Sequence, residues 1–135
     1  MRSLAITLFL LLASQPGIEQ ECPDLSQYYE DQFSWLQRLA ELRELMPDCL
    51  QSSEYFALLG AAELQTGNTS NALESLERSL LLNPNFAAAK VDYAEVLFEV
   101  GQVFAALELN EDLLQRDDLP DGLQNLLELR HSQYS

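Results

Sequence analysis

Gly67 and Gly101 lie 34 residues apart, and the residues around them keep the same step. Ala72-Leu73-Glu74 recurs as Ala106-Leu107-Glu108, Leu80 recurs as Leu114, and the small residue Gly60 is matched by Ala94. Each glycine separates two apolar stretches of helical length. Tyr55 to Gln65 runs into Gly67, and Asn71 to Leu82 runs into Asn83-Pro84. A unit of helix, glycine turn and helix cannot bury its apolar face alone, so successive units must stack. The period therefore predicts an all-α fold: a right-handed superhelix of antiparallel helix pairs, with about six helices.

Counted from Ser53, the first unit has Phe56 at its bulky fourth position, Leu59 at the seventh and Gly60 at the small eighth. Its turn glycine is Gly67, its small crossing residue Ala72 and its closing proline Pro84. The second unit starts at Ala87 and keeps Tyr93, Ala94, Gly101 and Ala106. This pattern resembles the tetratricopeptide repeat. It has physical content. Gly60 and Ala72 let two helix backbones approach, and Gly67 can take the positive φ that ends a helix. Asn68 to Ser70 offer side-chain oxygens to cap the next helix. Asn68-Thr69-Ser70 also matches a glycosylation acceptor, and capping is the reading preferred here. The departures are Glu63, where an aromatic is common, Lys90 at the bulky fourth position, Asn110 at a usually apolar position, and a late closing proline, Pro120.

The N-terminus reads as a secretory signal peptide. Arg2 precedes a short apolar core from Leu4 to Ala13, and Ser14 to Gly17 is small and turn-forming. The core is shorter than the roughly 20 residues a bilayer span needs. Cys22 follows Glu19-Gln20-Glu21 rather than a lipoprotein box. The expected organisation is a signal peptide at 1–17, an N-terminal segment with a capping helix at 18–52, repeats at 53–86 and 87–120, and a C-terminal capping helix at 121–135.

Export places Cys22 and Cys49 in an oxidising compartment, where such a pair forms a disulfide. One straight helix over residues 24–46 would hold the two cysteines roughly 33 Å apart. A bridge needs Cα atoms about 5.5 Å apart. The chain must therefore fold back, with a turn near Glu30 to Ser34. A helix from about Phe33 to Met46 follows, capped by Asp31 or Ser34 and stopped by Pro47. Trp35, Leu39, Leu42 and Met46 form its apolar stripe. At the other end, Leu123 to about His131 predicts a short helix that covers the last repeat with Leu123, Leu126, Leu127 and Leu129.

Composition narrows the function. The formal charge is −15, from 22 acidic and 7 basic residues, which argues against a nucleic-acid partner. Beyond the leader no apolar run approaches membrane length, so stable membrane insertion of the mature chain is not expected. Asp117, Asp118 and Asp121 lack EF-hand spacing, and the single His131 reads as an exposed helix residue. With no nucleophile–His–acid set, metal cluster or phosphate loop, no catalytic residue, cofactor or metal is expected.

The resemblance implies a concave groove lined by the first helix of each repeat. Its residues here would be Glu54, Ala57, Ala61, Leu64, Ala88, Val91, Glu95 and Phe98, a small apolar surface suited to a protein or peptide. The same spacing also suits Leu64 and Phe98 as core under the flanking helices. A carboxylate clamp needs Lys and Asn, where Ala57, Ala61, Val91 and Glu95 stand. Residues 87–131, with Ala89 to Phe98, Gly101, Leu113-Leu114 and Asp118-Leu119-Pro120, further resemble the periplasmic repeat region of surface lipoprotein assembly modifier proteins. The functional expectation is a non-enzymatic exported scaffold for a protein or peptide in the bacterial periplasm or cell envelope. The alternative is a structural or assembly subunit related to the soluble half of an outer-membrane assembly or secretion protein.

Overall fold

The computed structural model describes residues 21–135; the expected signal peptide lies outside the described residues. Six α-helices and no strand occur among them. They are α1 (Trp35–Glu44), α2 (Ser53–Gln65), α3 (Thr69–Leu82), α4 (Ala87–Glu99), α5 (Val103–Leu114) and α6 (Asp121–Tyr134). Each helix packs on the next, and α2 also packs on α4 across the repeat. The expected all-α, tetratricopeptide-like stack is what the chain forms.

The glycine turns work as the period requires, and more fully. Gly67 has φ 83° and Gly101 φ 88°. At the first turn Gly67 N donates to Leu64 O and Asn68 N to Glu63 O; at the second Gly101 N donates to Phe98 O and Gln102 N to Leu97 O. These paired bonds are Schellman closures, which satisfy the last carbonyls of α2 and α4. The predicted side-chain caps on α3 are absent. Asn68 makes no capping bond; its Nδ2 instead donates to Thr66 Oγ1 at 2.9 Å. The Schellman closure has fixed the turn without it. At Gly60 an added Cβ would stand 2.6 Å from Leu76 Cγ, so α2 and α3 touch where only glycine fits.

The ruler runs further than the repeats read from sequence. Helices α2, α4 and α6 begin at Ser53, Ala87 and Asp121, each 34 residues after the last. Helices α1, α3 and α5 begin at Trp35, Thr69 and Val103, on the same step. Thus α1 is in register as the second helix of a preceding unit, and α6 as the first helix of a following one. The sequence hides this because Arg38 stands where Ala72 and Ala106 stand in the later units. A small residue is needed there only when a partner helix crosses. In place of that partner the chain makes a 3₁₀ turn, Ser26–Tyr29, and leaves room for the guanidinium.

This N-terminal hook is tied by the Cys22–Cys49 disulfide, with Cα atoms 4.7 Å apart. The fold-back falls at residues 30–34, as expected, and Ser34 is the cap of α1. Its Oγ accepts from Gln37 N while Gln37 Oε1 accepts from Ser34 N, a capping box. Leu25 and Tyr28 of the hook share one core with Leu39, Leu42, Cys49, Tyr55, Phe56 and Leu59. Two details differ from the predicted stripe. Helix α1 ends at Glu44, with Met46 and Pro47 in a 3₁₀ turn. Trp35 is 39% exposed, because its ring lies under the Arg38 guanidinium, 4.4 Å away, rather than in the core.

The sequence departures become buried polar links. Glu63 is buried and accepts a hydrogen bond from Ser75 Oγ. Burial raises its pKa; the Ser75 bond and Arg43 oppose that rise. Asn110 is fully buried, and its Nδ2 donates to Leu127 O of α6 at 3.0 Å. Helix α6 is longer than predicted. Leu127 is buried, but Leu129 is 57% exposed, because it lies on the face of α6 turned away from α5. Tyr134, beyond the predicted helix end, is buried instead.

Candidate functional site

The concave face is built by α2 and α4, whose equivalent positions lie side by side. Its two halves have different fates. Towards the start of α4, small residues form an open floor: Ala57 and Ala61 from α2, Ala88 from α4. Phe86, at the N-cap of α4, and Leu58 add apolar wall. The hook supplies the facing wall with Tyr28, Tyr29, Trp35 and Arg38. The resulting pocket has a volume of about 320 Å³.

Three charged groups line it. Arg38 is committed to the hook: its Nη2 donates to Glu30 O at 2.6 Å and lies 3.9 Å from Asp31. Asp31 is fully exposed at the rim. Asp92, one turn after Ala88, is half-buried in the pocket, and among the described residues no hydrogen bond or ion pair engages its carboxylate. Burial, with help from Glu95, pushes its pKa up to about 6 against the opposing pull of Arg130. Glu54 stands at the edge, where Tyr29 OH donates to its Oε1 at 3.1 Å. Burial, reinforced by Glu54, pushes the Tyr29 phenol up to about 12.

The other half of the face is occupied. Arg130 of α6 donates to Val91 O at 3.1 Å and to Glu95 Oε2 at 2.5 Å. Tyr134 stacks on Phe98 with ring centroids 4.9 Å apart. Leu64 and Val91 are themselves core residues. Of the eight groove positions read from sequence, the structure therefore gathers Ala57, Ala61 and Ala88 around one pocket and places Glu54 near it. It puts Leu64 and Val91 inside, and Glu95 and Phe98 under α6.

Sequence reasoning missed Asp92 and the aromatic wall. The signal for Asp92 was present, since it falls one period after the pocket residue Leu58. The wall had no periodic signal, because Tyr28 and Tyr29 lie in a 3₁₀ turn. Within the Asp117–Asp121 region, Arg116 forms a two-pronged pair with Asp118, at 2.9 and 2.7 Å. His131 is half-buried rather than exposed, with its Nδ1 covered. Among the described residues no helix is long and apolar enough to cross a membrane.

Residues 63–128 match a family model described as Tetratricopeptide repeat. The match begins in α2 and ends in α6, so the hook and the start of α2 stand outside it. No curated protein matches the chain. The match and the helical stack together support a tetratricopeptide repeat protein. Such repeats generally act as scaffolds for protein–protein interaction.

Proposed function

We propose that this chain is an exported, non-enzymatic scaffold that binds a protein or peptide in the open half of its concave face. The observation that carries the reading is the pocket of Ala57, Ala61 and Ala88 facing Tyr28, Tyr29 and Trp35. Small side chains on paired helices opposite an aromatic wall make a trough that accepts side chains of an extended segment. The bacterial periplasm or cell envelope is the proposed location. It rests on the apolar leader and on the disulfide, a bond that persists in oxidising compartments.

A bait experiment tests binding. The disulfide-intact chain should retain a partner from a periplasmic extract, and Ala61→Phe, which fills the trough without adding charge, should release it while keeping its helicity and melting temperature. Retention equal in both proteins would remove the groove from the function. Fractionation with thiol trapping tests location: a full-length pool with both thiols reduced in the cytoplasm would refute export.

A convex-face observation favours the assembly-subunit alternative. Tyr93 lies between two shallow hollows with acidic edges, one lined by Glu77, Leu80 and Leu81, the other by Leu97, Gln102, Ala105, Glu108, Leu109 and Asp112. A permanent partner would cover these residues. It would co-purify in fixed stoichiometry and resist high salt, whereas a transient adaptor contact would not.

A further inference from the structure

We propose that the open half-groove is a receptor for a cationic side chain, lysine or arginine, presented on an extended peptide with apolar neighbours. This rests on the groove reading above and names the chemistry of its ligand. Four observations carry it. Asp92 lines the open pocket with no partner among the described residues. Arg38 does not serve as its counter-ion, because the charges that act on Asp92 are Arg130 and Glu95, and Arg38 is held by Glu30 O and by Trp35. Tyr28, Tyr29 and Phe86 also line the pocket beside the aliphatic floor, and aromatic faces attract an ammonium or guanidinium as well as its aliphatic stem. Finally, the rim carries Asp31 and Glu54, and the whole chain is strongly acidic at −15. Such a field raises the encounter rate of basic partners and repels acidic ones.

A carboxylate held in an apolar pocket above its ordinary pKa costs folding free energy whenever it is charged. Among the described residues the Asp92 carboxylate returns nothing to the fold in hydrogen bonds. An incoming cation would supply the missing counter-charge, and its own stem would fill the space between Ala57, Ala61 and Ala88. The same pocket lined by Asn in place of Asp92 would still accept an apolar side chain but would not prefer a charged one.

The test is selection from a randomised peptide library on the disulfide-intact chain, counter-selected against Ala61→Phe. Enriched peptides should carry Lys or Arg at one aligned position flanked by apolar residues. Replacing that lysine by its uncharged counterpart norleucine should weaken binding about tenfold, the worth of one charge-assisted hydrogen bond. On Asp92→Asn the same replacement should change binding less than about twofold. Enrichment of purely apolar or acidic peptides, or an undiminished lysine preference on Asp92→Asn, would overturn this inference and leave the groove reading standing. Failure of any peptide to prefer the native chain over Ala61→Phe would overturn both. Self-association lost in Ala61→Phe would assign the pocket to a second copy and overturn the inference as well.

Discussion

The two halves of the concave face are built from equivalent positions and yet behave oppositely. Ala57 and Ala61 of α2 correspond by period to Val91 and Glu95 of α4, and Leu64 corresponds to Phe98. Near the hook, the floor is alanine and the wall stands off, leaving a cavity beside Asp92, which is unpaired among the described residues. Near α6, Arg130 and Tyr134 reach over and satisfy Glu95, Val91 O and the Phe98 ring. The difference teaches that a repeat position has no fixed role. Its role is set by whichever element lies next to it: a regular helix in register at one end, and a strapped 3₁₀ turn at the other.

The hook is the larger lever on this contrast. Reducing or replacing the disulfide with Cys22→Ser and Cys49→Ser should cost on the order of 3 kcal/mol, from the loop-closure entropy released in the unfolded chain. Urea unfolding with and without reductant measures it. Hydrogen exchange should show protection lost first over residues 22–34 while α3 to α6 remain protected. Equal loss across all six helices would mean that the hook and the repeats are one cooperative unit and that the contrast drawn here is only geometric.

The closed half breaks next. Tyr134→Ala removes a buried ring from its stack on Phe98 and should cost about 2–3 kcal/mol, read from the urea midpoint. It should also open the second half of the trough, so the peptide-binding footprint seen by NMR would extend from Ala88 to Phe98. Arg130→Met is expected to cost about 1–2 kcal/mol, since it leaves Glu95 half-buried without its partner. Because Arg130 holds the Asp92 pKa down, the Asp92 carboxyl should then titrate above about 6 in carbon-13 spectra. An unchanged titration would show that α6 does not act on the open pocket.

The smallest effect has the opposite sign. With a folded pKa of about 6, Asp92 binds more protons in the folded than in the unfolded chain between the ordinary carboxylate range and that value. Its contribution to stability is therefore greatest at low pH and falls as pH rises through the window. Asp92→Asn should raise stability by about 1 kcal/mol or less at pH 7–8, after allowance for its partial exposure. The difference from the native chain should vanish near pH 3. A destabilised Asn variant at pH 7–8 would point to a structural partner for Asp92 and remove the reason for a cationic ligand.

Much of the stack was legible in the residues. Gly67 and Gly101 marked both turns because only a residue without Cβ takes that φ cheaply, and Gly60 marked the close helix crossing. Glu63 and Asn110 read only as departures from the repeat. Their partners, Ser75 Oγ and Leu127 O, lie 12 and 17 residues away, and spacing alone carries no information on a bond across helices. Trp35 and Leu129 fitted helical stripes, but a stripe says which residues share a face, not whether anything covers that face. The extension of the ruler to α1 was masked by Arg38, a large residue tolerated where, among the described residues, no helix crosses.

By itself the sequence determined the periodicity, the turns, the helix lengths to within a few residues and the need for a fold-back between Cys22 and Cys49. All of these follow from local backbone preferences and from chain connectivity. Only the tertiary structure decided which half of the concave face stays open, that Asp92 has no partner among the described residues while Glu95 has one, and that Tyr28, Tyr29 and Trp35 form the opposite wall. Those outcomes depend on groups from different elements meeting in space, where burial, charge and packing act between residues that no local pattern connects.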